Sequence, residues 1–256
     1  MLKQNEAAPV AAGVVRDDSA GRGRVPRIIL LLVIVEVALA AIYLAFTEVN
    51  RVRQFYTLFE FFDLNREANV PTWFSSLQLA GAAAMVAGLA WHLRSAGRSA
   101  WGVWALAAFL GLLSLDEAAG LHEFVGRTLE RSVSAIGETR LGMKHTGPWM
   151  VVALPIGIAA AWFAVVKARR HLADHPGSRS AMSLLVAALV LLIGSAVLPE
   201  VLTNFAGEFH PLQPSRTWAL LIAMEELGEM LAGTLLLWSA WLLLRAHGLA
   251  PIGRPA

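Results

Sequence analysis

The chain has 256 residues, of which 57% are hydrophobic and 16% charged, with a mean hydropathy of +0.58 and a formal net charge of +2. Ordinary soluble domains carry about 25% charged residues, so this composition excludes a water-soluble globular fold and points to a polytopic membrane protein. The basic residues are scattered between apolar runs, which excludes a nucleic-acid partner, and the absence of cysteine excludes disulfides, thiolate metal ligands and cysteine nucleophiles.

In chain order, residues 1–26 are rich in Ala, Gly, Arg and Asp without an apolar period, and read as a disordered cytoplasmic tail. Arg22, Arg24 and Arg27 followed by an apolar run and Ala38-Leu39-Ala40 also resemble a signal peptide. The length of the run and Glu36 within it argue against that. A membrane-crossing helix needs about 20 largely apolar residues. Six segments reach that length: 28–46, 75–92, 101–120, 149–167, 181–199 and 218–244. The expected architecture is all-α, a six-span transmembrane helical bundle over residues 27–246, closed by a short cytoplasmic tail at 247–256.

Six spans put both termini on one side. That side holds 13 of the 21 Lys and Arg residues and the other side 8, so retained positive charge places both termini in the cytoplasm. Trp73, Trp91, Trp101, Trp149, Trp218 and Trp241 fall at span ends, where amphipathic indoles collect with one edge wet.

This topology puts 14 of the 19 acidic residues on the outer side and leaves Glu36 alone halfway through span one. Glu130 and Glu138 sit in a loop and are simply solvated. Asp116 and Glu117 near the end of span three, and Glu225, Glu226 and Glu229 inside span six, lie within otherwise apolar helices. Ionisable groups at that depth cost roughly 2.5 to 3.5 kcal/mol each, so they face the bundle interior and need protons or cations among them. At 100° per residue Glu225, Glu226 and Glu229 share one sector of span six. Asp116 and Glu123 differ by only about 20° on span three, but Glu117 and His122 fall on opposite flanks, so either the helix loosens at Gly120 or one of them points elsewhere. Gly228 and Ala232 form a small-x-x-x-small pair that lets another helix approach span six.

His122, His145 and His210 are outer, and His92, His171, His175 and His247 inner. Carboxylates with imidazoles suit zinc, iron or manganese. The candidate metal ligands are Asp116, His122, Glu123, Glu225, Glu229, Glu200 just after Pro199, and His210, with Glu117 and Glu226 as candidate catalytic carboxylates. A solvated loop histidine is an equal reading for His145 and His210. His171 and His175 have the spacing of a metal pair, but in a basic inner loop they read as a solvated helix end. Glu36 reads equally as a proton carrier or as an internal hydrogen-bonding partner.

Glu67-Ala-Asn-Val-Pro-Thr-Trp-Phe-Ser-Ser76, Leu115-Asp-Glu117 with His122-Glu123, and Glu225-Glu-Leu-Gly-Glu-Met230 together resemble a family of uncharacterised bacterial integral membrane proteins. The resemblance covers roughly residues 28–245 and implies a bacterial plasma (inner) membrane location, without an activity, cofactor or substrate. It also brings Thr72, Ser75 and Ser76 into view as hydroxyls that could line the same outer cavity.

Three functions fit these residues. The first is a metal-dependent membrane enzyme acting on a lipid or other apolar substrate, its divalent ion held at the outer ends of spans three and six. The second is a proton- or cation-coupled transporter, against which the placement of both acid clusters on one side counts moderately. The third is a non-catalytic assembly or cation-sensing protein. Membrane lipids are the expected partners in each case.

Overall fold

The computed structural model describes residues 25–49, 59–66, 68–132, 149–209 and 216–250. Residues 1–24 of the tail expected at 1–26, residues 251–256, His145 and His210 lie outside the described residues. Seven helices account for nearly all the rest: α1 (Arg27–Val49), α2 (Val70–Ser95), α3 (Trp101–Ala119), α4 (Leu121–Ser132), α5 (Trp149–Leu172), α6 (Pro176–Phe209) and α7 (Arg216–Ala246). All but α4 are long and apolar enough to cross a membrane. The protein is therefore an all-helical, multi-pass integral membrane protein. We call the side on which α1 begins and α7 ends the terminal face, and the opposite side the far face.

Local chemistry explains where the spans depart from their expected limits. Helix α2 begins five residues early because Asn69 caps it. Its side-chain oxygen accepts the Thr72 backbone N–H, and Pro71 occupies the first turn, where a missing N–H costs nothing. Asn69 Nδ2 also donates to the carbonyls of Asp63 and Arg66, tying the 59–66 segment to the cap. Helix α6 runs on through Pro199 to Phe209 rather than stopping there.

Helix α2 packs against α3 and α7, α7 against α6, and α3 against α5. The short turn between α5 and α6 closes this into a five-helix ring, with α1 docked outside it on α7. In a bilayer, lipid tails compete with apolar side chains, so close packing and hydrogen bonds join the helices. The ring shows both. Ser76 and Ser114 donate reciprocally to each other's backbone carbonyls at 2.9 Å across α2 and α3, and Ser239 donates to the Ala181 carbonyl across α7 and α6 at 2.8 Å. A Cβ placed on Gly228 would lie 2.5 Å from that of Ser195, so glycine lets α7 and α6 approach, and one on Gly102 would meet the Lys167 carbonyl at 2.5 Å. The Gly228 contact expected from the small-residue spacing is made with α6.

The tightly buried apolar side chains of the ring include Leu89, Leu106, Ala168, Leu185 and Leu236 in the terminal-face halves of their helices, with Leu79 and Ala82 of α2 reaching past the middle. A second apolar cluster lies at the far face, where Leu39, Ala40 and Tyr43 of α1 meet Phe59, Leu64, Ile222 and Met230. Among the described residues, the far-face halves of α5 and α6 contribute to neither cluster and that of α3 contributes only Leu113. The acidic residues of α3 and α7 enter the bundle at that level.

Candidate functional site

Of the two alternatives for span three, the structure shows the first, a break at Gly120. Gly120 adopts a left-handed conformation with φ of 56°, ends α3 after Ala119, and turns the chain into α4. Only a residue without Cβ takes that conformation cheaply. The turn brings His122 back onto Asp116: Oδ1 accepts the His122 backbone N–H at 2.8 Å and Oδ2 lies 3.1 Å from Nδ1. Asp116 thereby serves the first turn of α4 and fixes the imidazole, with Nε2 on the side away from the carboxylate.

On α7, Glu225, Glu229 and Gly233 follow one another at one-turn intervals. Gly233 abuts the side chain of Gln78 on α2, so this face of α7 is turned toward the ring. Glu229 there lies within electrostatic range of Glu226, Glu117, Glu225 and Asp116. Carboxylates of α3 and α7 thus lie within electrostatic range of one another, although α3 packs chiefly on α2 and α7 on α6 and α2. Glu226 faces α1, where Tyr43 feels both its charge and that of Asp63. Asp63, in the 59–66 segment, has its carboxyl held above the usual range by burial, opposed by the Asn65 N–H and the Arg66 guanidinium. At the rim Arg66 pairs with Glu60 at 2.8 Å, and Arg216 with Glu48 at 2.7 Å.

The structure therefore places Asp116, Glu117, Glu225 and Glu226 within electrostatic range of Glu229, and His122 on Asp116. Glu123 lies in α4 and Glu200 in α6, but their side chains, like His210, are outside the described residues. Among the described residues no three His, Asp or Glu side chains already form a cage for a metal ion. Thr72 and Ser76, expected as cavity hydroxyls, are engaged elsewhere, Thr72 with Asn69 at 3.0 Å and Ser76 with Ser114.

At the terminal face, His171 stands edge-on to Trp101 at 5.7 Å while the His175 ring lies tilted beside that of His247 at 4.1 Å. The two do not converge, as a helix-end reading requires. Burial, then the neighbouring His175, Arg98 and His92, bring the His247 pKa down to about 4.

Sequence reasoning missed four polar residues. Tyr43 lies seven residues after Glu36 and so on the same face of α1, a spacing visible in the sequence. Asp63 sits in a segment with no periodic signal. Gln78 and Thr234 are isolated polar residues inside apolar spans, and both hydrogen-bond Glu36, Gln78 at 2.9 Å and Thr234 at 2.6 Å.

No curated protein and no solved structure matches the chain. A family model described as a domain of unknown function, DUF8692, matches residues 28–244, the whole six-helix region, and the chain belongs to that family.

Proposed function

We propose that this protein is a metal-dependent membrane enzyme whose site lies at the far-face ends of α3 and α7, with that face turned outward and the substrate a lipid or other apolar molecule. The observation that carries this reading is the Asp116–His122 pair, standing beside the carboxylates gathered around Glu229. A carboxylate bonded to one imidazole nitrogen is how metal-binding and general-base histidines are oriented. It assigns Asp116 to positioning and His122 Nε2 to the ligand. Glu225 and Glu229 supply oxygen ligands, and Glu117 and Glu226 remain as proton acceptors. A bound divalent cation would supply Lewis acidity toward a polar group of the substrate. An open apolar groove of about 490 Å³ at the same face, lined by Phe61, Val70, Trp73, Phe74 and Leu77, would offer an acyl chain an apolar surface.

The test is elemental analysis of monodisperse, detergent-purified protein beside the His122→Ala and Glu225→Ala variants. Near-stoichiometric zinc, iron or manganese, lost in both variants, is the expected result. Absence of metal from folded wild-type protein overturns the reading and leaves a proton- or cation-coupled carrier as its successor.

A further inference from the structure

Glu36 is fully buried, and so, to within a few per cent, are Gln78 and Thr234. It lies near the middle of α1, remote from both faces. The Thr234 hydroxyl donates to Glu36 Oε1 at 2.6 Å. The Gln78 amide donates to the same oxygen at 2.9 Å and to Thr234 Oγ1 at 2.7 Å. Three helices, α1, α2 and α7, thus meet in a closed triangle of side chains. Both donors are neutral, and both bonds fall on one carboxyl oxygen. Glu36 Oε2 is buried without a partner, and so is Gln78 Oε1.

The other titratable groups of these three helices lie elsewhere along them. Helix α1 carries Arg27, Tyr43 and Glu48, with Tyr43 seven residues along. Helix α2 carries His92 and Arg94 near its terminal-face end. Helix α7 carries Arg216, Glu225, Glu226, Glu229 and Arg245, of which Glu229 is nearest in sequence to Thr234, five residues away. None of them hydrogen-bonds Glu36.

We propose that Glu36 is a proton-binding site in the middle of the membrane, its carboxyl carrying the proton on Oε2 while Thr234 and Gln78 hold Oε1. A metal cation fits poorly, because two N–H and O–H donors already point at Oε1 and Gln78 Oε1 is turned against Gly233, 2.7 Å from where a Cβ would stand. An ionised carboxylate would keep an unpartnered charged oxygen out of water. A proton removes that charge without needing further ligands. Glutamine is also an apt partner for a group that changes state, since its N–H faces a carboxylate oxygen and its carbonyl, after an amide turn, faces a carboxyl O–H. The site stands independently of what the carboxylates around Glu229 bind.

Infrared difference spectra between wild-type protein and Glu36→Gln, a neutral isostere, test this directly. The expected result is a carbonyl band of a protonated carboxylic acid present in the wild type and absent from the folded variant. Thr234→Val, which removes one hydrogen bond from Oε1, is expected to shift that band without abolishing it. Identical carboxylic-acid bands in wild type and folded Glu36→Gln overturn the proposal. So does a sodium-dependent rise in Tm that is lost in Glu36→Gln while no band is lost. If Glu36→Gln does not fold, the Thr234→Val shift decides, and an unshifted band counts against the site.

Discussion

Asp116 and His122 face each other across the left-handed Gly120 turn and are joined twice, once through the backbone N–H at 2.8 Å and once through the ring at 3.1 Å. The two bonds do different work and separate by mutation. Asp116→Ala removes the capping acceptor of α4 and is expected to destabilise the protein by about 0.5–2 kcal/mol. Asp116→Asn retains a capping oxygen but loses the charge beside Nδ1. It should fold with near wild-type Tm while binding metal about 10- to 100-fold more weakly. Thermal melting and metal titration in detergent check the pair, and unchanged metal affinity in Asp116→Asn would remove the positioning role.

The α6–α7 approach makes a rescue experiment possible. A Cβ on Gly228 would sit 2.5 Å from the Ser195 Cβ and 3.8 Å from its Cα. Gly228→Ala is therefore expected to cost about 1–3 kcal/mol through overpacking. Adding Ser195→Gly removes the colliding atom, so the double variant should melt above Gly228→Ala alone despite the second helix glycine. If the two changes simply add, the contact is not what limits α7.

Ser76 and Ser114 form the reciprocal clasp between α2 and α3, two residues before Asp116. Interhelical hydrogen bonds in membranes contribute about 0.6 kcal/mol on average, with a maximum of about 1.7. A double-mutant cycle of Ser76→Ala and Ser114→Ala should return a coupling in that range. A coupling of zero would mean that the helices are held by packing alone.

Acid should loosen the terminal face. Free histidine titrates near 6.5, whereas His247 is held to about 4, so between those values the unfolded chain takes up a proton that the folded protein refuses. The stability tied to His247 is full above about pH 6.5, declines as pH falls toward 4, and levels off below. His247→Asn should flatten that part of the Tm-against-pH curve, and an unaltered slope would assign the acid sensitivity to other groups.

The six spans were legible because a bilayer demands long apolar runs, and composition alone supplies them. Their ends were less so: Asn69 extends α2, and Pro199 lies within α6 rather than ending it. The acidic residues were equally visible, and their one-sidedness placed Asp116, Glu117, Glu225, Glu226 and Glu229 at one level. What could not be read was pairing across elements. The Asp116–His122 contact depends on a backbone turn at a single glycine. The Glu36 triangle joins residues 42 and 198 positions apart, a relation that no periodicity within one helix encodes.

The same triangle sets a condition on how the protein is made. Helix α1 precedes both partners in the chain, Gln78 following Glu36 by 42 residues and Thr234 by 198. Its carboxyl enters the bilayer ahead of the helices that carry its partners, at an insertion cost of roughly 2.5 to 3.5 kcal/mol. The rest of the segment carries that burden: its mean hydropathy of 2.9 is the highest of the six spans, against 1.4 for α2 and 1.6 for α7. The most apolar helix is thus the one that holds Glu36. The unbroken run of Leu30, Leu31, Leu32 and Val33 just ahead of that acid is a requirement of birth order as much as of the finished fold.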